Sequence, residues 1–97
     1  MTKNEDVVAP IVHLNGTHAN ELIELRWDVI NALEEAVEAL KRACPNERDY
    51  YPVEGLYRKA MSQYALRKAM LETIVDGLHE EISKIGRQTD PWRGCMR

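Results

Sequence analysis

A chain of 97 residues, with 13 basic and 16 acidic side chains and 44% hydrophobic content, has room for one small domain and little margin for a self-sufficient core. Its net charge of -3 gives no basis for general nucleic-acid binding, and its 2 cysteines are too few for a disulfide framework. No window is apolar enough to span a bilayer, and Met1 to Asp6 lacks the basic-then-apolar order of a signal peptide.

The charges are unevenly placed. Up to Leu40 the cations are Lys3 and Arg26, set against Glu5, Asp6, Glu21, Glu24, Asp28, Glu34, Glu35 and Glu38; from Lys41 onward cations outnumber anions. Acidic and basic segments of this kind favour an antiparallel pair. Cys44 and Cys95 lie far apart, which fits a reduced, cytoplasmic setting.

In chain order, residues 1–16 read as an extended arm. Val7, Val8, Ile11 and Val12 are β-branched, and Pro10 confines the segment to an edge or to a path along a helical surface. Asn15-Gly16 marks an arm-to-helix corner, where Gly16 tolerates positive φ, with Thr17 as the helix N-cap. The periodicity predicts helix one over 17–44. Its main stripe is Leu22, Leu25, Val29, Leu33, Ala36, Leu40 and Ala43, flanked by Ile23, Ile30, Val37 and Cys44. Two such rows exceed what one neighbouring helix covers, so the flanking row is expected to face another subunit. Trp27 lies off the stripe and is expected to meet the arm or a second copy.

Pro45 stops the helix, and 45–55 form a connector, with Pro52 a candidate for an early helical turn. Helix two is expected over 56–85, with Tyr57, Met61, Tyr64, Leu71, Ile74, Val75, Leu78, Ile82 and Ile85 on its apolar face and Gly86 as C-cap. Arg67 and Lys68 interrupt that face and are expected to pair with Glu34, Glu35 or Glu38. Residues 86–97 form a tail in which Trp92 lies among arginines and could dock on a partner. The fold expected is all-α: one domain over 1–97, an antiparallel two-helix hairpin with an extended N-terminal arm, assembled into a helical-bundle homo-oligomer.

Two clusters carry candidate binding chemistry. At the corner, His13, Asn15, Gly16, Thr17 and His18 set two imidazoles beside the N-H groups of a helix start, which suits phosphate or carboxylate. The plainer alternative is a capped corner with exposed histidines. At the connector, Arg48, Asp49, Tyr50 and Tyr51 offer aromatic faces and a guanidinium for a base and a phosphate; here the alternative is a plug of tyrosines at the hairpin end. A helix of ~27 residues is about 40 Å long, so corner and tip meet only between antiparallel subunits.

Other chemistry is thinly represented. Asp76 and His79 stand one turn apart, without the matching glutamate-histidine pair that carboxylate-bridged bundles use, so no metal is expected. Neither serines nor cysteines have a local base, and no glycine-rich phosphate loop occurs, so neither catalysis nor a cofactor is expected.

The His13-Leu14-Asn15-Gly16-Thr17 corner, the acidic amphipathic helix, and Pro45-Asn46 leading to Arg48-Asp49-Tyr50-Tyr51 together resemble small uncharacterised phage proteins, over about Ile11 to Ile85. The resemblance implies a phage or prophage origin and a host-cell cytoplasm. In architecture alone, a short oligomerising helical hairpin is also similar to the phage anti-defence sponge proteins, which sequester cyclic-nucleotide immune signals; their sequence motif is absent here. The function expected is therefore homo-oligomeric capture of a small anionic or nucleotide ligand without turnover, at the corner and tip residues. The alternative is a helical interaction module that inhibits or adapts a host or phage protein, and a virion part is a third reading.

Overall fold

Ile23, Arg26, Ile30, Leu33, Val37 and Leu40 recur at alternating steps of three and four, and this heptad row forms one side of the hairpin seam. Tyr57, Met61, Tyr64, Lys68, Leu71, Val75, Leu78, Ile82 and Ile85 form the other. The computed structural model describes residues 6–89, in which these rows lie on two helices, α1 over Ala19–Arg42 and α2 over Leu56–Thr89, joined by a short 3-10 turn at Glu47–Asp49. The helices run antiparallel: Arg26 reaches Glu81 near one end, while Ala43 and Ala60 line a common cleft at the other. The described residues are all-helical apart from the arm, the corner and the connector, in a body of 66 × 23 × 22 Å.

The core is thin. Ile30 and Ile85 are 0% exposed and Val37 9%, the only buried hydrophobic residues described. Full burial of such a side chain is worth ~1.5–3 kcal/mol, so three of them stabilise the hairpin only modestly. This corrects the expected assignment of rows. Ile30 and Val37, expected to face a second subunit, are the residues that α2 covers, whereas Leu25 (49%) and Val29 (46%) of the expected inner stripe stay exposed. The cause is Arg26: a charged residue on the true seam makes the neighbouring row look like the inner one.

The arm follows α2, as its composition predicts. Lys84 Nζ donates to Val7 O at 2.7 Å, Gln88 Nε2 donates to Pro10 O at 2.9 Å, and Val12 N-H donates to Gln88 Oε1 at 2.8 Å. These bonds explain why Gly86 does not cap the helix. Anchoring of the last turn by the arm outweighs the ~1 kcal/mol helix penalty of glycine, and α2 runs through Gly86 to Thr89. Residues 90–97, including Trp92 and Cys95, lie outside the described residues.

Boundaries shift elsewhere for equally local reasons. The His13–Gly16 turn leaves His18 in an extended conformation (φ -57, ψ 142), so helix one begins at Ala19 rather than 17, with His18 at the cap position and no side-chain cap from Thr17. Its end at Arg42 precedes the expected 44, because i+3 bonds from Ala43 N-H to Leu40 O and Cys44 N-H to Lys41 O tighten the final turn ahead of Pro45. Pro52 lies in the turns before α2, and Gly55 carries the left-handed φ of 80 that its turn requires.

Two expected contacts are replaced. Among the described residues no ion pair joins Arg67 or Lys68 to Glu34, Glu35 or Glu38; Lys68 meets Glu72 one turn along its own helix at 3.9 Å, and Glu38 meets Lys41 at 3.0 Å. The pair that crosses the seam is Arg26–Glu81. Trp27 packs edge-on against His79 of α2, with centroids 5.2 Å apart at 78°, rather than on the arm.

Candidate functional site

The corner is built by one hydrogen bond, Gly16 N-H to His13 O at 3.1 Å, which folds the His13 imidazole back over the chain. Gly16 does not take a positive φ, and a Cβ there would stand 2.7 Å from Nε2 of the exposed His13 side chain, which would have to swing aside. His13, Asn15, Gly16, Thr17 and His18 are all exposed, and together they form a surface rather than a pocket.

At the tip, Asn46 Oδ1 accepts from Arg48 N-H at 3.1 Å, and the 3-10 bonds from Asp49 N-H to Asn46 O and Tyr50 N-H to Glu47 O wind the connector inward. That winding separates the tyrosines. Tyr50 turns toward α2 and meets Tyr57 at 6.2 Å, whereas Tyr51 stays 74% exposed. Arg48 and Tyr51 border an open depression with Asn46 and Glu47, and Asp49 stands exposed on the turn.

Beneath the connector lies a cleft of about 320 Å³. Its apolar wall is Leu40, Ala43, Pro45, Leu56 and Ala60; its polar wall is Tyr50, Lys59, Gln63, Tyr64 and Arg67. Lys59, Gln63 and Arg67 are successive i, i+4 neighbours on α2, so they form one ridge along the cleft. No carboxylate is among the lining residues, which leaves two cations to set the local potential. Of the tip residues singled out by sequence, only Tyr50 enters this cleft. The i, i+4, i+8 spacing of Lys59, Gln63 and Arg67 places them on one ridge, but it does not supply the opposite wall that makes the ridge part of a cleft.

Tyr64 is half-buried, and this burial, followed by the nearby Cys44 thiol, raises its phenol above the ordinary tyrosine value; Lys41 opposes the shift. The Tyr64 hydroxyl is already engaged with the Cys44 thiol. Corner and cleft remain apart within one chain: α1, with 24 residues, separates them by roughly 36 Å at 1.5 Å per residue.

On the opposite flank of the hairpin, Glu34 and Glu38 of α1 and Glu72 and Asp76 of α2 line an acidic groove. His79, one turn from Asp76, is engaged with Trp27, and among the described residues no group of three or more His, Cys, Asp or Glu side chains is arranged to hold a metal ion. Nor is any helix among them long and apolar enough to cross a membrane. No protein-family model, curated protein or solved structure matches this chain.

Proposed function

We propose that this chain is a homo-oligomeric binding protein that captures a small anionic ligand in the cleft beneath the connector and releases it unchanged. The observation that carries the reading is the convergence of Lys59 and Arg67 with Tyr50 and Tyr64 around one cleft of about 320 Å³ that no carboxylate lines. Ligand pockets of about 300–1,000 Å³ hold drug-sized molecules, so this one accommodates a single mononucleotide-sized moiety. A tyrosine face supports a base, a guanidinium takes phosphate oxygens in pairs, and a lysine adds a point charge. A nucleotide is the ligand class that uses all three. The architectural similarity to phage sponge proteins makes cyclic-nucleotide immune signals the first to try, with sequestration in a host cytoplasm as the role.

The corner residues His13, Asn15, Thr17 and His18, and Arg48 and Tyr51 outside the cleft, are proposed as auxiliary phosphate contacts supplied across a subunit boundary. A thermal-shift screen with nucleotides at ~1 mM tests the proposal, since a ligand at ten times its Kd or more stabilises the fold by over ~1 kcal/mol. A rise in melting temperature with at least one nucleotide, and none with its uncharged nucleoside, is expected. No rise with any nucleotide or small anion contradicts it.

A second reading has its own observation. Leu66 (61%), Met70 (56%) and Ile74 (49%) form an exposed i, i+4 ridge on α2, which suits capture of an amphipathic helix from a host or phage protein.

A further inference from the structure

The two flanks of the hairpin differ in kind. The flank bearing Glu34, Glu38, Glu72 and Asp76 is charged, with Lys41 on Glu38 and Lys68 beside Glu72, and offers little apolar surface to a second copy. The other flank is identified by the cleft that brings Ala43 of α1 beside Gln63 and Arg67 of α2. Helical steps of three and four back from Ala43 lead to Ala39, Ala36 and Ala32, then to Val29 and Leu25; steps forward from Arg67 lead to Met70 and Ile74. All of these are exposed, at 49% for Leu25, 46% for Val29, 56% for Met70 and 49% for Ile74. The flank is thus graded in size. Its half near the corner projects large side chains, and its half near the tip is an alanine floor with Met70 and Ile74 beside it.

We infer that this flank is the docking surface for a second copy of the chain, with the two α1 helices antiparallel about a two-fold axis at Ala32. Only that arrangement sets Leu25 and Val29 of each copy onto Ala39 and Ala36 of the other, large onto small, with Met70 and Ile74 closing over them. A parallel pairing would stack large on large at one end and leave a gap between alanines at the other. Charge agrees at the ends: the register that puts Leu25 on Ala39 brings Glu21 of one copy to Arg42 of its partner, at both ends by symmetry. It also sets Asp28 beside the second copy's Glu35, a like-charge contact at the exposed edge that supplies a test. A hairpin with three buried hydrophobic residues needs such a cover. The pairing stands independently of the ligand reading. Where both hold, each copy's corner, four to nine residues before Leu22, comes to the partner's tip, so the cleft is completed by the partner's His18.

The experiment is site-directed thiol bridging of the full chain with Cys44→Ser and Cys95→Ser in place, without ligand, so its result is separate from any failure to bind nucleotides. Ala32→Cys, at the axis, is expected to give a covalent dimer with a short bifunctional thiol reagent. Ala39→Cys alone is expected to give none, and Leu25→Cys combined with Ala39→Cys is expected to restore it. Glu35→Lys is expected to tighten the dimer several-fold by sedimentation, by facing Asp28 of the partner. Bridging by Ala39→Cys alone as efficient as by Ala32→Cys would mean a parallel pairing and overturn the inference. A monomeric mass at ~50 µM, with no bridging at Ala32, would overturn it as well and leave the flank to a different protein.

Discussion

Arg26 Nε donates to Glu81 Oε1 at 2.8 Å across the hairpin seam, while Arg26 Nη1 donates to the Leu22 carbonyl of its own helix at 3.0 Å. Both side chains are about one-fifth exposed, at 22% and 23%, so the pair is partly shielded from water and fixes which turn of α1 faces which turn of α2. Arg26→Ala is expected to cost about 1–2 kcal/mol, somewhat above an ordinary surface pair because its hydrogen bonds are charge-assisted. Arg26→Leu combined with Glu81→Met, which replaces both partners by apolar side chains and continues the row, is expected to be neutral or stabilising. Urea titrations followed by circular dichroism separate the two, and an equal loss in both would show that the pair is not the reason for the residue.

Because Ile30 and Ile85 are fully buried, Ile30→Ala and Ile85→Ala are each expected to lose about 2–4 kcal/mol. In so thin a core that loss is a large share of the whole. Ala69→Ser, on an exposed α2 face outside the seam, the cleft and the proposed docking flank, is the matched control and is expected to change the hairpin by under ~0.5 kcal/mol. Thermal melts of the three variants decide the point.

Gln88 holds the arm from both sides, accepting from Val12 N-H and donating to Pro10 O. Gln88→Ala is expected to free the arm while leaving the seam intact. Hydrogen exchange reads this directly: the Val12 amide should exchange at least ~10-fold faster, with amides around Ile30 unchanged. Equal acceleration at both places would mean that the arm is part of the core.

Burial and Cys44 raise the Tyr64 phenol above its ordinary value of 10.0. The folded chain therefore holds this proton more tightly than the unfolded chain. The resulting stability is fully present below the unfolded value and is lost as pH rises through it toward the folded value. Between about pH 9 and about pH 11 the wild-type chain is expected to lose stability more steeply than Tyr64→Phe, in melts taken at matched salt. Parallel curves would remove Tyr64 as the cause.

The hairpin was legible in the sequence because Pro45 and Gly55 bracket the connector and because Tyr57, Met61, Tyr64, Leu71, Val75, Leu78, Ile82 and Ile85 keep a seven-residue repeat. The start of α2 at Leu56 follows directly. What misled was chemistry that tertiary contacts override. Arg26 on the seam disguised the inner row of α1, and glycine at position 86 read as a stop until Gln88 was seen to anchor the arm. The tip stood out through its aromatic run, yet Tyr50 and Tyr51, adjacent in sequence, point to different places once the 3-10 turn winds between α1 and α2. Lys59 and Arg67 could not be assigned to a cleft from spacing alone, since their apolar wall, Leu40, Ala43 and Pro45, comes from the other side of the connector.

The most direct test of a nucleotide held in the connector cleft is calorimetric titration of the wild-type chain and of Arg67→Ala and Lys59→Ala with one cyclic dinucleotide and one cyclic mononucleotide, inorganic phosphate serving as control. The account predicts saturable binding of at least one nucleotide, weakened ~10-fold or more by each substitution, as the loss of one charged hydrogen bond requires, with the helical content of each variant unchanged. Binding that is equally tight in all three chains, or absent from the wild type, would contradict it.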